Sequence, residues 1–114
     1  MSDCLFCGIA DGKIKANFVY QDEALLAFKD IAPKAPVHIL IIPRKHVVSV
    51  LDIEANDSGV IGRIFQVAGQ LAREQGIADS GFRVVVNSGA DAGQSVSHLH
   101  YHLLGGRRMT WPPG

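Results

Sequence analysis

Three histidines alternate with apolar residues near the end of the chain, in the run His98-Leu99-His100-Tyr101-His102. Successive side chains of an extended strand point to opposite faces, so this spacing predicts the imidazoles on one face and the apolar side chains on the other. Near pH 7 a neutral imidazole offers a lone pair on one nitrogen and a proton on the other. The run could therefore supply a nucleophile, a proton donor or a set of metal ligands.

The segment from Asn87 to Ser95 comes shortly before these histidines and is rich in glycine, amide and hydroxyl groups. Glycine lets backbone N–H groups approach an anion closely, and the amides and hydroxyls are further donors. The segment does not fit the P-loop pattern of nucleoside triphosphatases. Taken alone it reads as ordinary turn chemistry. Beside the histidine run, it becomes a candidate phosphate cradle.

The composition limits the class of protein. The 114 residues are 47% apolar and 19% charged, and eleven basic residues balance eleven acidic ones. This is typical of one globular domain spanning residues 1–114, and the balance disfavours a broad nucleic-acid surface. The longest apolar stretch, Val37 to Pro43, is too short to cross a membrane, and the N-terminus lacks a secretory pattern. We expect a cytoplasmic protein.

The elements that must position these groups follow from periodicity and turn residues. A short helix is expected at residues 4–11 and a longer one near residues 54–75, capped by Asp52 and Gly76. The long helix has one apolar stripe, made of Ile61, Ile64, Phe65, Ala68, Leu71 and Ala72. Five strands are expected at residues 18–21, 25–29, 37–42, 82–87 and 98–104. The pattern predicts an α+β fold with an antiparallel sheet of about five strands.

The whole set of motifs resembles the histidine-triad (HIT) family, whose signature alternates histidine with apolar residues and ends in two apolar positions. Residues 98–104 fit that signature, and the likeness extends over nearly the whole chain. The ending Trp111-Pro-Pro-Gly114 is similar to the Hint branch, the purine nucleoside phosphoramidases, and Cys4 and Cys7 resemble its bacterial type with an N-terminal CxxC pair. Further matching segments are residues 27–31, 35–38, 42–46 and 93–96.

The resemblance implies a HIT fold, a homodimer and hydrolysis of purine nucleoside phosphoramidates and acyl-nucleotides through a nucleotidyl intermediate on His100. It implies that His102 contacts a phosphate oxygen and that Ser95 lies near the departing amine. His98 or a backbone carbonyl would accept the proton on the other nitrogen of His100 and so fix its tautomer. The implied substrate contacts are Asp30 with the ribose, Phe28 and Ile31 with the base, Asn87, Gly93, Gln94 and Ser95 with the phosphate, and Trp111 from the partner subunit.

A metal site is a separate question. The two-residue gap between Cys4 and Cys7 is common in zinc sites, but two ligands do not complete a tetrahedron. His46 and His98 are the natural second pair, as in relatives that carry both cysteines and hold zinc this way. Such a zinc would be structural, and catalysis would need no cofactor. The alternative is that both cysteines are small, reduced core residues.

Three other functions remain open at this point. A diadenosine-polyphosphate hydrolase of the same family is one, although the Trp111–Gly114 ending disfavours it. A nucleotide-binding adaptor protein whose catalysis is incidental is the second. The third is a metal-binding module in which His98, His100 and His102 share a zinc ion and no nucleotide binds.

Overall fold

The computed structural model describes residues 4–114, which form a single five-stranded antiparallel sheet with the strand order β1-β2-β3-β5-β4. One short and one long α-helix cover its two faces, so the predicted α+β architecture is confirmed. The strands are β1 Phe18–Gln21, β2 Leu25–Lys29, β3 Val37–Pro43, β4 Phe82–Val86 and β5 Tyr101–Gly105. The helices are α1 Leu5–Ala10 and α2 Ser58–Glu74, and 3-10 turns occupy Val50–Asp52 and Ala55–Asp57.

Each face of the sheet has its own apolar core. On the α2 side, Leu99, Tyr101 and Leu103 are buried together with one stripe of the long helix. On the α1 side, Phe6 and Ile9 pack against alternate residues of the central strands, namely Leu26, Phe28, Leu40 and Ile42. The apolar residues between the histidines thus lie on the α2 side, as the alternation predicts, and the imidazoles are left to the α1 side.

The register of the strands brings the polar groups of the α1 side together. His102 lies opposite Leu40 on β3, and His38 lies opposite Leu104 on β5. Directly opposed residues share a face, so His38 and His102 are diagonal neighbours on adjacent strands. The N–H of Asp30 donates to the carbonyl of His38 at 3.0 Å, which places Asp30 at the end of the same row.

The last strand begins at Tyr101, three residues later than the sequence predicts. If the register continued, Leu99 would lie opposite Pro43, which has no N–H to donate. The carbonyl of Pro43 is already bonded to the His98 ring, at 2.8 Å from Nε2. The N–H of Leu99 donates instead to the carbonyl of Val47 at 2.6 Å. His98 and His100 therefore lie in an irregular segment that leads into β5.

The long helix also begins later than predicted, at Ser58, and Asp52 is not its cap. The carboxylate of Asp52 accepts the N–H of Ser49 at 3.2 Å within the first 3-10 turn. The apolar stripe differs at one edge, where Phe65 is half exposed and Val67 is buried instead. Gly76 adopts φ +75° and ends the helix as predicted. No helix within residues 4–114 is long and apolar enough to cross a membrane.

Candidate functional site

His100 is held in one tautomer by the backbone. Its Nδ1 lies 2.7 Å from the carbonyl oxygen of His98, and a carbonyl can only accept a hydrogen bond. The proton of the neutral ring therefore sits on Nδ1, and Nε2 keeps its lone pair. The ring is 4% exposed and borders a cleft on the α1 side of the sheet. This is the arrangement that a nucleophilic imidazole requires.

The tautomer of His102 is set through a second histidine. The backbone N–H of Lys34 donates to Nδ1 of His38 at 3.0 Å, so the proton of neutral His38 sits on Nε2. That Nε2 lies 2.9 Å from Nδ1 of His102 and 3.3 Å from Oδ2 of Asp30. Because Nδ1 of His102 accepts this bond, the ring carries its own proton on Nε2. His102, which lines the cleft, thereby has an N–H with which to donate a hydrogen bond, and His38 is a hydrogen-bonded histidine within β3.

The histidines of this network favour their neutral forms. Burial lowers the pKa of His102 to about 4, and repulsion from the neighbouring His100 and His38 adds to the effect. Burial also lowers the pKa of His38, although the carboxylate of Asp30 opposes the shift. A neutral ring can donate a hydrogen bond from one nitrogen while it accepts one at the other. The chain of hydrogen bonds from Lys34 through His38 to His102 needs both functions.

The pKa of His102 predicts a loss of stability in acid. The folded chain binds this proton only near pH 4, whereas an unfolded histidine binds it near pH 6.5. The unfolded state therefore takes up more protons as the pH falls. The contribution of neutral His102 to the free energy of unfolding is complete above about pH 6.5 and declines toward pH 4. We expect urea midpoints to fall between pH 7 and pH 5. The midpoints should fall less in His102→Gln. An equal dependence of the midpoint on pH in both proteins would contradict the lowered pKa of His102.

A cleft of about 200 Å³ joins the predicted catalytic and nucleoside-binding residues. One wall comes from α1, another from the end of β2, and the floor carries the histidines. Of the predicted site residues, those lining it are Phe28, Asp30, Ile31, Ser95, His100 and His102. Asp30 is fixed there because its Oδ1 accepts the N–H of Ala32 at 2.8 Å. Ile31 is 99% exposed although it is apolar, which suits a contact made only when a ligand binds.

Four predicted substrate contacts do not line this cleft within one chain, namely Asn87, Gly93, Gln94 and Trp111. The side chain of Gln94 shapes its own loop, since Nε2 donates to the carbonyl of Val48 at 2.6 Å and Oε1 accepts the N–H of Gly89 at 2.9 Å. Gly93 adopts φ +83°, which supports the turn. Asn87 directly follows β4, and Trp111 is 81% exposed in the C-terminal tail. Within one chain, only Ser95 of the predicted phosphate loop reaches the cleft.

Sequence reasoning missed the wall that α1 contributes. Leu5, Phe6 and Ile9 line the cleft, although the sequence had indicated only a short helix at residues 4–11. The signal was the position of Phe6 between two candidate metal ligands, Cys4 and Cys7. A site for those ligands near His98 necessarily brings Phe6 close to His100 as well.

The four predicted metal ligands meet at one point. One donor atom from each of Cys4, Cys7, His46 and His98 lies within 4.8 Å of the other three. His98 donates from Nε2 to the carbonyl of Pro43, which leaves the lone pair on Nδ1 toward the thiols, 3.4 Å from the sulfur of Cys4. Nδ1 of His46 lies 3.2 Å from the sulfur of Cys7. Two sulfurs and two imidazole nitrogens, one oriented by a carbonyl, are a donor set that fits zinc.

A second group of possible ligands, Asp30, His38 and His102, does not fit a metal in the same way. Its donor atoms also lie within 4.8 Å of one another. However, the N–H of Lys34 already occupies the lone pair on Nδ1 of His38, so Nε2 of that ring carries a proton. A nitrogen that bears a proton offers no lone pair to an ion. This group is a hydrogen-bonded set that fixes the tautomer of His102.

A larger open cleft of about 560 Å³ lies at the far end of β4 and β5, beside Arg83, Arg107 and Arg108. None of the predicted site residues lines it. The smaller cleft on the α1 side, where the imidazoles and the carboxylate converge, is therefore the candidate site.

Comparison with known proteins agrees with this geometry. The HIT domain model matches residues 11–109, and the chain belongs to that family. A HIT-like protein of Synechocystis is 45% identical over 112 residues, which are 98% of this chain and 97% of the relative. The crystal structure of a HIT family hydrolase from Legionella pneumophila superposes with a TM-score of 0.96 at 49% identity, covering 98% of this chain and 100% of that one. A histidine triad protein from Clostridium difficile gives 0.92 at 44% identity, with 96% of each chain covered.

Proposed function

We propose that the protein is a hydrolase of purine nucleoside phosphoramidates and related acyl-nucleotides, of the Hint branch of the HIT family. The observation that carries this proposal is the bond from Nδ1 of His100 to the carbonyl of His98, at 2.7 Å. It leaves an unprotonated Nε2 at a cleft that also presents the carboxylate of Asp30. The name of the Legionella structure, a HIT family hydrolase, supports the class of reaction.

The reaction would proceed in two displacements at phosphorus. Nε2 of His100 attacks, a P–N bond to the imidazole forms, and the P–N bond to the amine breaks. The amine must gain a proton to leave. A neutral imidazole is a very weak acid, so His102 would serve once the negative charge of the bound phosphate lets it take up a second proton, and the hydroxyl of Ser95 is the alternative that would relay one. The donor regains its proton from the water of the second step. Water then attacks the nucleotidyl-imidazole, which frees His100 and releases the nucleoside monophosphate. Two steps with a good leaving group replace one difficult step.

The nucleoside would occupy the part of the cleft between α1 and the end of β2. Asp30 keeps acceptor capacity beyond its bond to Ala32, so it can receive hydrogen bonds from the ribose hydroxyls. Phe28 and Ile31 supply apolar surface for a purine. These contacts bind the part of the substrate that does not react and so orient the phosphorus toward His100.

The proposed function is tested by trapping the intermediate. An adenosine phosphoramidate that carries a label on phosphorus is mixed with the protein and quenched within one turnover, and the labelled residue is then mapped. We expect the label on His100. Turnover of diadenosine tetraphosphate is measured beside it, and preferential cleavage of that compound would favour the dinucleoside polyphosphate hydrolase instead. A label on any other residue would overturn the mechanism.

Replacement of His102 identifies the proton donor. If Nε2–H of His102 protonates the amine, His102→Ala lowers kcat by roughly 100-fold, because general acid catalysis is lost. The matched variant Ser95→Ala, across the same cleft, should change kcat by much less. Substrates with more acidic leaving amines need less protonation and should recover part of the rate in His102→Ala. Equal losses in the two variants, without that recovery, would assign the proton elsewhere.

A structural zinc ion is a second element of the proposal. Cys4, Cys7, His46 and His98 would hold it, and a closed site of four protein ligands leaves no open position for substrate. When bound, the ion supplies a fold-stabilising cross-link between α1 and the strands. The lone pair of His98 on Nδ1 supports this role, whereas His100 and His102 are engaged in other hydrogen bonds.

A homodimer is the third element. β4 is an edge strand, with Phe82 and Val86 partly exposed, and Phe65 on α2 is 52% exposed. Apolar residues on an unpaired edge and an adjoining helix suit an interface. The exposed Trp111 would then reach the cleft of the partner subunit. Sedimentation equilibrium tests this association, and a monomer at micromolar concentration would contradict it.

A further inference from the structure

Helix α1 belongs to both the metal site and the substrate cleft. Cys4 caps the helix, since its sulfur accepts the N–H of Cys7 at 3.4 Å, and Cys7 lies within the first turn. Between them, Phe6 lines the cleft, together with Leu5 and Ile9. Two of the four candidate metal ligands and one wall of the cleft therefore belong to the same short helix and its N-cap.

This helix has little stability of its own. It contains six residues, and isolated helices shorter than about 12 residues are marginal in water. Its C-terminal half is held by burial of Ile9 and by Arg44, whose guanidinium donates to the carbonyl of Ala10 at 3.0 Å. The N-terminal half depends on Phe6 and on the contacts of the two cysteines with His46 and His98.

Phe6 connects the N-terminal half of α1 to the cleft through its ring contacts. Its ring is 3% exposed and meets the rings of Phe28 at 5.5 Å, His98 at 5.9 Å and His100 at 5.1 Å, all edge to face. Phe28 is a predicted contact of the base. If the first turn of α1 becomes disordered, the cleft that would bind the nucleoside loses one of its walls.

We propose that metal occupancy at Cys4, Cys7, His46 and His98 sets the affinity for nucleotide, because the metal fixes the first turn of α1 as a wall of the cleft. This inference rests on the proposed function. The metal acts on binding more than on the nucleophile, since His98 keeps its bond to the carbonyl of Pro43 through Nε2, the nitrogen that does not face the thiols. The carbonyl that orients His100 is thereby held in either state.

The test uses the whole chain under reducing conditions, with adenosine monophosphate as the probe. Calorimetry measures its affinity for the zinc-loaded and the chelator-treated protein, and hydrogen exchange follows the amides of α1, β3 and β5. If the wall is ordered about a tenth of the time without metal, affinity falls roughly tenfold. We expect faster exchange at residues 5–10 and unchanged protection in the central strands.

Three variants test whether the metal ligands and Phe6 control the affinity for nucleotide. Cys7→Ser should match the chelated protein and no longer respond to zinc, whereas Asp11→Asn, at the exposed end of the same helix, should respond like the wild type. Phe6→Ala should weaken nucleotide binding while zinc stays bound. Zinc content is measured for each protein.

The outcomes separate the two proposals. If the loaded protein binds the nucleotide and chelation leaves the affinity unchanged, this inference is overturned and the proposed function stands. If zinc does not bind, or if protection is lost across the whole sheet, the inference is overturned as well. Failure of the zinc-loaded protein to bind adenosine monophosphate would instead refute the proposed function, and the inference with it.

Discussion

Replacement of His100 by glutamine is expected to lower kcat for an adenosine phosphoramidate by roughly 10⁴-fold or more, the scale seen when a catalytic nucleophile is removed. Glutamine preserves the size and polarity of the side chain but has no nitrogen lone pair that can attack phosphorus. The Nδ1–H of His100 and the carbonyl of His98 are already in contact at 2.7 Å, so the wild-type ring needs no rearrangement before it attacks. Single-turnover kinetics with a labelled substrate measure the loss.

Binding is the control for this variant. The contacts proposed for the nucleoside, at Asp30 and Phe28, are untouched, so His100→Gln should bind adenosine monophosphate within a few-fold of the wild type. Asp11→Asn, an exposed substitution at the end of α1, lies outside both the cleft and the set of metal ligands. With zinc bound, it should form the labelled intermediate normally. Rapid hydrolysis by His100→Gln would show that water is activated directly, without a covalent intermediate.

Removal of zinc is expected to lower the free energy of unfolding by about 3–4 kcal/mol when free zinc is 100–1,000 times its dissociation constant. An ion that binds only the folded chain stabilises it in this way, and the four ligands come from distant parts of the sequence. Two of them, His46 and His98, are brought together by the end of β3 and the segment before β5, with ring centres 5.0 Å apart. Urea unfolding under reducing conditions, with zinc or with a chelator, measures the difference.

The double variant Cys4→Ser, Cys7→Ser provides the matched control. It keeps the volume of both side chains but removes the thiolate ligands, so its urea midpoint should no longer depend on zinc. His100→Gln, which alters a histidine outside the ligand set, should keep the full dependence. A wild-type midpoint that zinc does not move would show that the four side chains hold no structural ion.

The face of the sheet that carries the histidines was predictable from local pattern, because period-two alternation fixes which side chains share a side. Leu99 and Tyr101 are buried on the α2 side, and His100 and His102 line the cleft opposite. The irregular start of β5 was not predictable from the same pattern. It depends on Pro43, a residue that the register would place opposite Leu99 and that cannot donate a hydrogen bond.

The predicted substrate contacts differ in the same respect. Asp30 and Phe28 reach the cleft because they lie on or next to a strand that pairs with β3. Gln94 was expected at the phosphate because of its type and its place beside the histidine run. Its side chain bonds the N–H of Gly89 and the carbonyls of Val48 and Val96 within one chain, and the partner on Val48 comes from a distant segment.

The sequence by itself determined which chemical groups are present, which side of the sheet they occupy, and that two cysteines lie within one turn of helix. For His98 and His102, the tertiary structure decided which nitrogen carries the proton, whereas the partner of His100 is the carbonyl two residues before it. A tautomer depends on the group that meets the other nitrogen, and for His98 that group is the carbonyl of Pro43, 55 residues earlier in the chain. For His102 it is a second histidine, itself fixed by the N–H of Lys34. No local pattern encodes such partners, because folding brings them into contact from separate segments.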